Sequence, residues 1–385
     1  MPLKVIVVGA GLGGLAAAIA FTRAGHDVEV YEKSSFHNEV GAAIHLAPNA
    51  TRVLQPWGCD LQAMEPSPCD HLSIWDNKGN FIATPAFTDQ LQKELEMDDP
   101  WLLVHRVDLH NALREKAEEG FGGKKPKIHL SSAVDSVDPS TGKVVLESGR
   151  VLQADLIIGA DGVHSRTVDF VTGETQKKRS TGQNCFRFLV PVEKLRADPV
   201  TKELIDRIGL RSLNAFNSPE RRLILYPCRA GTLINAVMFH PDEEGQTVES
   251  SWQNAGSRDD LMVQMESFSS LLIATVDQGQ GGAQAFEDAA TLGALFIADT
   301  RSEQIGERLK LYNDIRYEQA VTVLFMSRVG DEHREKVMGD LKRFVPDAKM
   351  PGNMWLHAWK SFPVKEAEYA LQHQGLLHRV DGVRA

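Results

Sequence analysis

Residues 4–32, KVIVVGAGLGGLAAAIAFTRAGHDVEVYE, decide how the chain folds. Val5 to Val8 read as an apolar, β-branched strand, and the turn Gly9, Ala10, Gly11, Leu12, Gly13, Gly14 follows. An alanine-rich helix and a second strand ending at Glu32 complete the unit. In such a unit Gly9 permits the tight turn, Gly11 lets the backbone approach a pyrophosphate, and Gly14 lets helix and strand pack closely. The N-terminus of the helix faces the phosphate charge. A carboxylate ending the second strand can accept both ribose hydroxyls of an adenosine, the role read for Glu32, with Lys33 beside it. A glycine turn can also serve packing alone, but the strand before it, the helix after it and the acid beyond favour dinucleotide binding.

The 385 residues are enough for two domains, three at most. With 42% hydrophobic and 24% charged residues and no low-complexity tract, the composition is that of a soluble globular protein. A net charge of −10 argues against nucleic acid as a partner, because phosphate binding needs a basic surface. The basic run Lys124, Lys125, Lys127 beside Gly122 and Gly123 reads as a solvated turn. Cys59, Cys69, Cys185 and Cys228 form no CxxC pair, and no histidine has metal-ligand spacing, so neither a disulfide framework nor a metal site is expected. Met1 leads directly into the first core strand, and no stretch approaches the roughly 18 apolar residues of a membrane span. A cytoplasmic protein with reduced thiols, monomer or homodimer, is the expectation.

Beyond Glu32, Glu39 to Ala50 reads as a glycine and proline loop opening a short helix, Asn49 to Trp57. Short strands are expected at Leu72–Trp75 and Phe81–Thr84, and a helix at Val107–Glu119. A strand at Lys127–Leu130 precedes a hairpin that turns at Pro139–Gly142 into Lys143–Glu147. Ala154 to Ala160 is an apolar run of the kind buried in a parallel sheet, and it ends on Asp161 and Gly162. From Thr181 to Phe239 the pattern alternates, with strands such as Arg222–Tyr226 and Thr232–Phe239, which predicts an antiparallel second domain. Helices are expected at Asp259–Leu271, Gly282–Phe296 and Glu303–Met326, followed by a polar tail containing Pro346, Pro351 and Pro363 that wraps the surface.

These motifs, in this order, resemble the class A flavin-dependent monooxygenases, in particular the salicylate hydroxylase-like branch that hydroxylates aromatic or polyketide-type phenols. GAGLGG with Glu32 looks like the adenosine end of the FAD site, and VGAAIHLAPNATRVL looks like the loop over the flavin and ribityl chain, which brings Gly41, Ala43 and Pro48 near the cofactor. In VHRVDLHNAL, Arg106 matches the arginine that reaches the ribityl and pyrophosphate region. DLIIGADGVHSRTV matches the motif in which Asp161 and Gly162 help bind FAD and NAD(P)H, with Arg166 in support. CFRFLVP and LILYPC fall where the family binds substrate, making Arg187 the candidate phenolate anchor and Tyr226 the candidate flavin-facing tyrosine. DQGQGGAQAFEDAATLG resembles the closing motif, in which Gly279, Gly281 and Gly282 pass under the isoalloxazine and the helix N-terminus faces its N1 and O2 edge.

The resemblance implies an α/β, Rossmann-like FAD-binding domain of the flavoprotein hydroxylase type, formed by residues 1–70, 101–176 and 273–385. A substrate domain on an antiparallel sheet, residues 71–100 and 177–272, is inserted. It implies FAD as cofactor, NAD(P)H and O2 as co-substrates, a small aromatic substrate, and hydroxylation through a flavin C4a-hydroperoxide. Arg187 and Tyr226 suit the substrate role because a guanidinium stabilises a phenolate and a phenol can share its proton, although both residue types also serve structurally in sheets.

The chain departs from the family pattern at one place. A strand and the sequence GDxxHP ordinarily precede the closing glycines, and here Ser267 to Leu272 run almost directly into Gln278 and Gly279. Either Leu271 to Val276 serves as the strand and Asp277 stands in for the lost aspartate, or the segment is missing and FAD binds weakly or not at all.

Overall fold

The computed structural model describes residues 1–36, 42–175, 182–241, 258–269, 272, 281–326, 334–349, 351 and 354–373. The opening stretch forms β1 (Lys4–Val8), α1 (Leu12–Arg23) and β2 (Asp27–Tyr31). Where a loop was expected, β3 (Ala43–Leu46) follows, then α2 (Pro48–Leu54), β4 (Ser67–Pro68), β5 (His71–Asp76), β6 (Phe81–Phe87) and α3 (Thr88–Glu94). Next come β7 (Leu102–His105), α4 (Arg106–Glu119), β8 (Lys127–His129), β9 (Val134–Asp138), β10 (Lys143–Leu146), β11 (Val151–Gln153), β12 (Leu156–Gly159) and α5 (Thr167–Thr172).

The alternating region contains β13 (Gln183–Pro191), two helices its strand pattern did not foretell, α6 (Val192–Ala197) and α7 (Pro199–Ile208), then β14 (Ser212–Ser218), β15 (Arg221–Cys228) and β16 (Leu233–Pro241). The helices α8 (Arg258–Gln264), α9 (Gly281–Leu295), α10 (Ile305–Met326), α11 (Arg334–Leu341), α12 (Met354–Trp359) and α13 (Pro363–Gln372) complete the described chain.

β12, β1, β2 and β8 make a parallel sheet in that order, the doubly wound arrangement expected of a dinucleotide fold. Ala154–Ala160, the run expected in a parallel sheet, supplies β12, which pairs in parallel with β1 and has no second neighbour among the described residues; Leu156 is buried and Gly159 exposed. α1 is sunk in the first core from Leu12 to Thr22, against β1, β2 and α9. Each large apolar side chain buried there contributes about 1.5–3 kcal/mol.

The second sheet runs β13-β16-β15-β14-β5-β6 and is mixed, because β14 pairs with β5 in parallel while its other pairings are antiparallel. β5 and β6 come from far upstream, so no local hairpin fixes their direction. The three-stranded antiparallel sheet β3-β7-β4 lies between the two cores: Ile44 and Leu46 face the core around α1, while Ala43 and Ala47 pack with the six-stranded sheet.

The C-terminal region is not the surface wrap its prolines suggested. Pro363 starts α13, where a missing N–H is tolerated, and Trp359, Ala367 and Ala370 are fully buried.

Candidate active site

Three backbone features build the glycine turn. Gly9 has φ +96° and a Cβ there would lie 2.5 Å from the Ala160 oxygen; a Cβ on Gly14 would lie 1.9 Å from the Gly9 oxygen. Both positions therefore exclude side chains for packing reasons. Gly11 differs, since a Cβ there would meet nothing within 4 Å, and it begins α1 with no side-chain cap. The first-turn N–H groups of a helix have no intrahelical acceptor, so this end of α1 presents donors and positive dipole toward open space.

Glu32 is buried at the end of β2. It accepts the Ala10 N–H at 2.7 Å and the Ser34 N–H at 2.8 Å, one on each carboxylate oxygen. A carboxylate has further lone pairs on both oxygens, so these bonds orient the group without saturating it. Lys33 beside it is exposed. His110, to which the sequence reading assigned no role, donates from Nε2 to the Ala10 oxygen at 2.8 Å and braces the turn from α4.

Arg106 opens α4, its N–H bonded to the Ala42 oxygen at 3.0 Å. Its half-buried guanidinium has no acidic partner among the described residues. Asp161 lies beyond β12, and its carboxylate accepts Ser165 Oγ at 2.7 Å, Thr167 Oγ1 at 2.5 Å and the N–H groups of Arg166 and Thr167. Burial works against its charge, but these bonds prevail and hold the carboxyl below its usual range. Its carboxylate organises the turn, and what the motif leaves open is Gly162, where a Cβ would meet nothing.

Gly281 and Gly282 are the first residues of α9. This helix runs parallel to α1: Gly293 packs on Ala20, and the Phe296 oxygen accepts from His26 Nε2 at 2.7 Å. Both helices therefore start at the same end of the fold. Gly41, Asp277 and Gly279 lie outside the described residues, as does the proposed replacement strand Leu271–Val276 except for Leu272, which is buried.

The structure brings Arg187 and Tyr226 onto one face of the six-stranded sheet. Arg187 pairs with Val237, which pairs with Ile224, and Tyr226 follows two residues along that strand. By strand spacing and rise the two are about 12 Å apart. Arg187 is exposed and Tyr226 buried. The Tyr226 hydroxyl donates to the Ala43 oxygen at 2.8 Å, a bond the sequence did not foretell.

Four further residues escaped the sequence reading. Asn235, opposite Tyr226, accepts the Ala43 N–H at 2.9 Å. Asn49 donates to Glu287 of α9 at 2.6 Å, and Glu287 pairs with Arg316 of α10 at 2.8 Å with both side chains buried. Burial pushes the Glu287 carboxyl up even with Arg316 and Asn49 drawing it down. Asn235 inside the apolar run LINAV carried the one sequence signal, a lone polar residue in a buried strand.

Among known proteins, residues 2–276 match the family described as FAD binding domain. The chain is 30% identical to the FAD-dependent monooxygenase cfoG of Aspergillus candidus over 93% of this chain and 92% of that protein. That alignment spans 408 positions, more than the 385 residues here, so parts of the relative have no counterpart in this chain. Hispidin-3-hydroxylase of Neonothopanus nambi is 31% identical over 83% of this chain and 86% of that protein. A solved salicylate hydroxylase substrate complex superimposes with a TM-score of 0.69 at 18% identity, covering 96% of this chain and 98% of that one, a likeness of fold.

Proposed function

We propose, from the premise that this chain belongs to the FAD binding domain family of FAD-dependent monooxygenases, that it hydroxylates a small aromatic or polyketide-type phenol using NAD(P)H and O2. The observation that carries the reading is the uncapped start of α1, where the bare backbone of Gly11 opens beside the buried carboxylate of Glu32. Those groups suit the ADP half of FAD: donors and dipole for the pyrophosphate, lone pairs for the ribose hydroxyls. The guanidinium of Arg106, without an acidic partner among the described residues, adds a cation for the same anion. Lys33, Gly41, Ala43, Asp161, Gly162, Asp277, Gly279, Gly281 and Gly282 are assigned to the same cofactor.

Bound FAD supplies the acceptance of electrons from NAD(P)H and the activation of O2. The protein's own tasks are to orient, to desolvate and to manage charge. The shared start of α1 and α9 directs two helix N-termini at the cofactor cleft, which favours negative charge there. Arg187, on the sheet face that looks toward β3, stabilises a substrate phenolate. Tyr226 and Asn235 hold β3 at a fixed height above that face, so the reacting ring sits in a walled, water-poor space.

The absent GDxxHP favours a second reading, a relative that binds an aromatic ligand without oxygenating it. The test is NAD(P)H oxidation by purified protein with excess FAD across a panel of phenols. Stimulation by a phenol, with hydroxylated product, supports the monooxygenase. A flat rate across the panel, with FAD bound, leaves the silent binder.

A further inference from the structure

The pleat of β3 places Ala43 and His45 on one face, toward the six-stranded sheet. His45 is 2% exposed and lies against tryptophans: its ring centroid is 5.9 Å from Trp101 and 6.3 Å from Trp355. Trp101 in turn meets Trp355 at 5.1 Å and Trp359 at 5.2 Å. Trp101 and Trp359 are buried, and Trp355 is half-buried, so the cluster reaches the surface on that side.

The tautomer of His45 follows from its partner. The Trp101 indole N–H donates to His45 Nδ1 at 3.2 Å, and an indole nitrogen can only donate, so Nδ1 carries a lone pair. Burial keeps the ring neutral, its pKa pushed down to about 4. The proton is therefore on Nε2, a buried donor with no acceptor among the described residues. Two more buried donors nearby share that condition: Trp359 Nε1, on the same cluster, and Asn235 Nδ2, whose side-chain oxygen holds Ala43 one pleat from His45. Buried donors in folded proteins are nearly always satisfied. Flat indole walls and unanswered N–H groups suit a planar ligand carrying an acceptor oxygen.

We propose that the Nε2–H of His45 is the donor that recognises an oxygen of the aromatic substrate, with the tryptophan cluster as the wall against which its ring lies. The assignment rests on the aromatic-hydroxylase reading above and names the group of this chain that orients the ring within that site.

The test uses FAD-loaded enzyme labelled with 15N-histidine and a series of monophenols: 3-hydroxybenzoate, salicylate and 4-nitrophenol. Saturation with a phenol that stimulates NAD(P)H oxidation is expected to shift the His45 Nε2–H resonance downfield. Replacing the donor in His45→Phe is expected to weaken binding of that phenol by about tenfold, while His45→Gln, which can both donate and accept, stays within about threefold. An unmoved His45 resonance at saturation, in an enzyme the phenol does stimulate, overturns the assignment and leaves the monooxygenase reading standing. FAD-loaded enzyme that binds none of the series overturns both. The resonance measurement needs no variant, so a His45→Phe protein that fails to fold does not remove the test.

Discussion

The hydroxyl of Tyr226 and the side-chain oxygen of Asn235 hold the two polar groups of a single residue, Ala43, at 2.8 and 2.9 Å. The pair are cross-strand neighbours on β15 and β16, so the six-stranded sheet fixes β3 through one peptide unit on each side of Ala43. Removing one arm leaves a half-buried main-chain group short of a partner. Tyr226→Phe is expected to lower stability by about 1–3 kcal/mol, read by urea denaturation, and to leave the shape of the kcat–pH profile unchanged. Loss of a limb of that profile would show that Tyr226 moves a proton instead.

Gly11 and Gly14 are two turns of one motif with different physics. Ala at 14 drives a Cβ into the Gly9 oxygen, so Gly14→Ala is expected to destabilise the apoprotein by several kcal/mol, of the order of about 3. Ala at 11 meets open space at φ −68°, so Gly11→Ala is expected to leave apoprotein stability within about 0.5 kcal/mol while weakening FAD by about tenfold or more. Calorimetric titration of FAD into both apoproteins separates the cases. Equal FAD affinity in Gly11→Ala and wild type would remove the pyrophosphate from that turn.

Arg316 and Glu287 are 3% and 0% exposed, and Asp288 holds the guanidinium from the other side at 2.8 Å. Arg316→Met strands a buried carboxylate next to another acid, and a loss of about 3–5 kcal/mol is expected on chemical denaturation. Adding Glu287→Gln removes the stranded charge and is expected to restore at least part of it. A loss below about 1 kcal/mol in the single variant would mean that the pair is not buried in solution.

His45 makes stability depend on pH in a defined window. The unfolded chain takes up a proton near pH 6.5, whereas the folded one resists until about 4. Between those values the unfolded state binds more protons, so stability falls as pH drops from about 6.5 to 4, by up to about 3 kcal/mol, and this residue contributes no slope above that range. His26, lowered by burial with the Phe296 oxygen opposing, pulls in the same direction. Urea unfolding at pH 7.5 and 4.5 should therefore show a smaller difference in His45→Gln than in wild type. Identical differences would place His45 in contact with water.

The glycine turn and the acid beyond it were legible because they are local. Gly9, Gly11, Gly14 and Glu32 belong to one strand-turn-helix-strand unit whose spacing carries its geometry, and the helices at 106–119, 281–295 and 305–326 announce themselves by apolar faces. The candidates on the six-stranded sheet were legible only as residue types. Arg187 and Tyr226 were chosen by resemblance, and nothing in their neighbours showed that the first is exposed and the second bonded to Ala43.

The sequence by itself determined the parallel sheet, the glycine turn and the acid beyond it, since hydrophobic period, glycine placement and chain order act over some thirty residues, about the span of a βαβ unit. Only the tertiary structure decided that β14 runs parallel to β5, that the proline-rich tail buries Trp359, and that His45, Trp101 and Asn235 gather around β3. Those outcomes depend on contacts between segments far apart in the chain. Such contacts are set by which faces remain to be buried and which polar groups remain to be paired once local structure has formed.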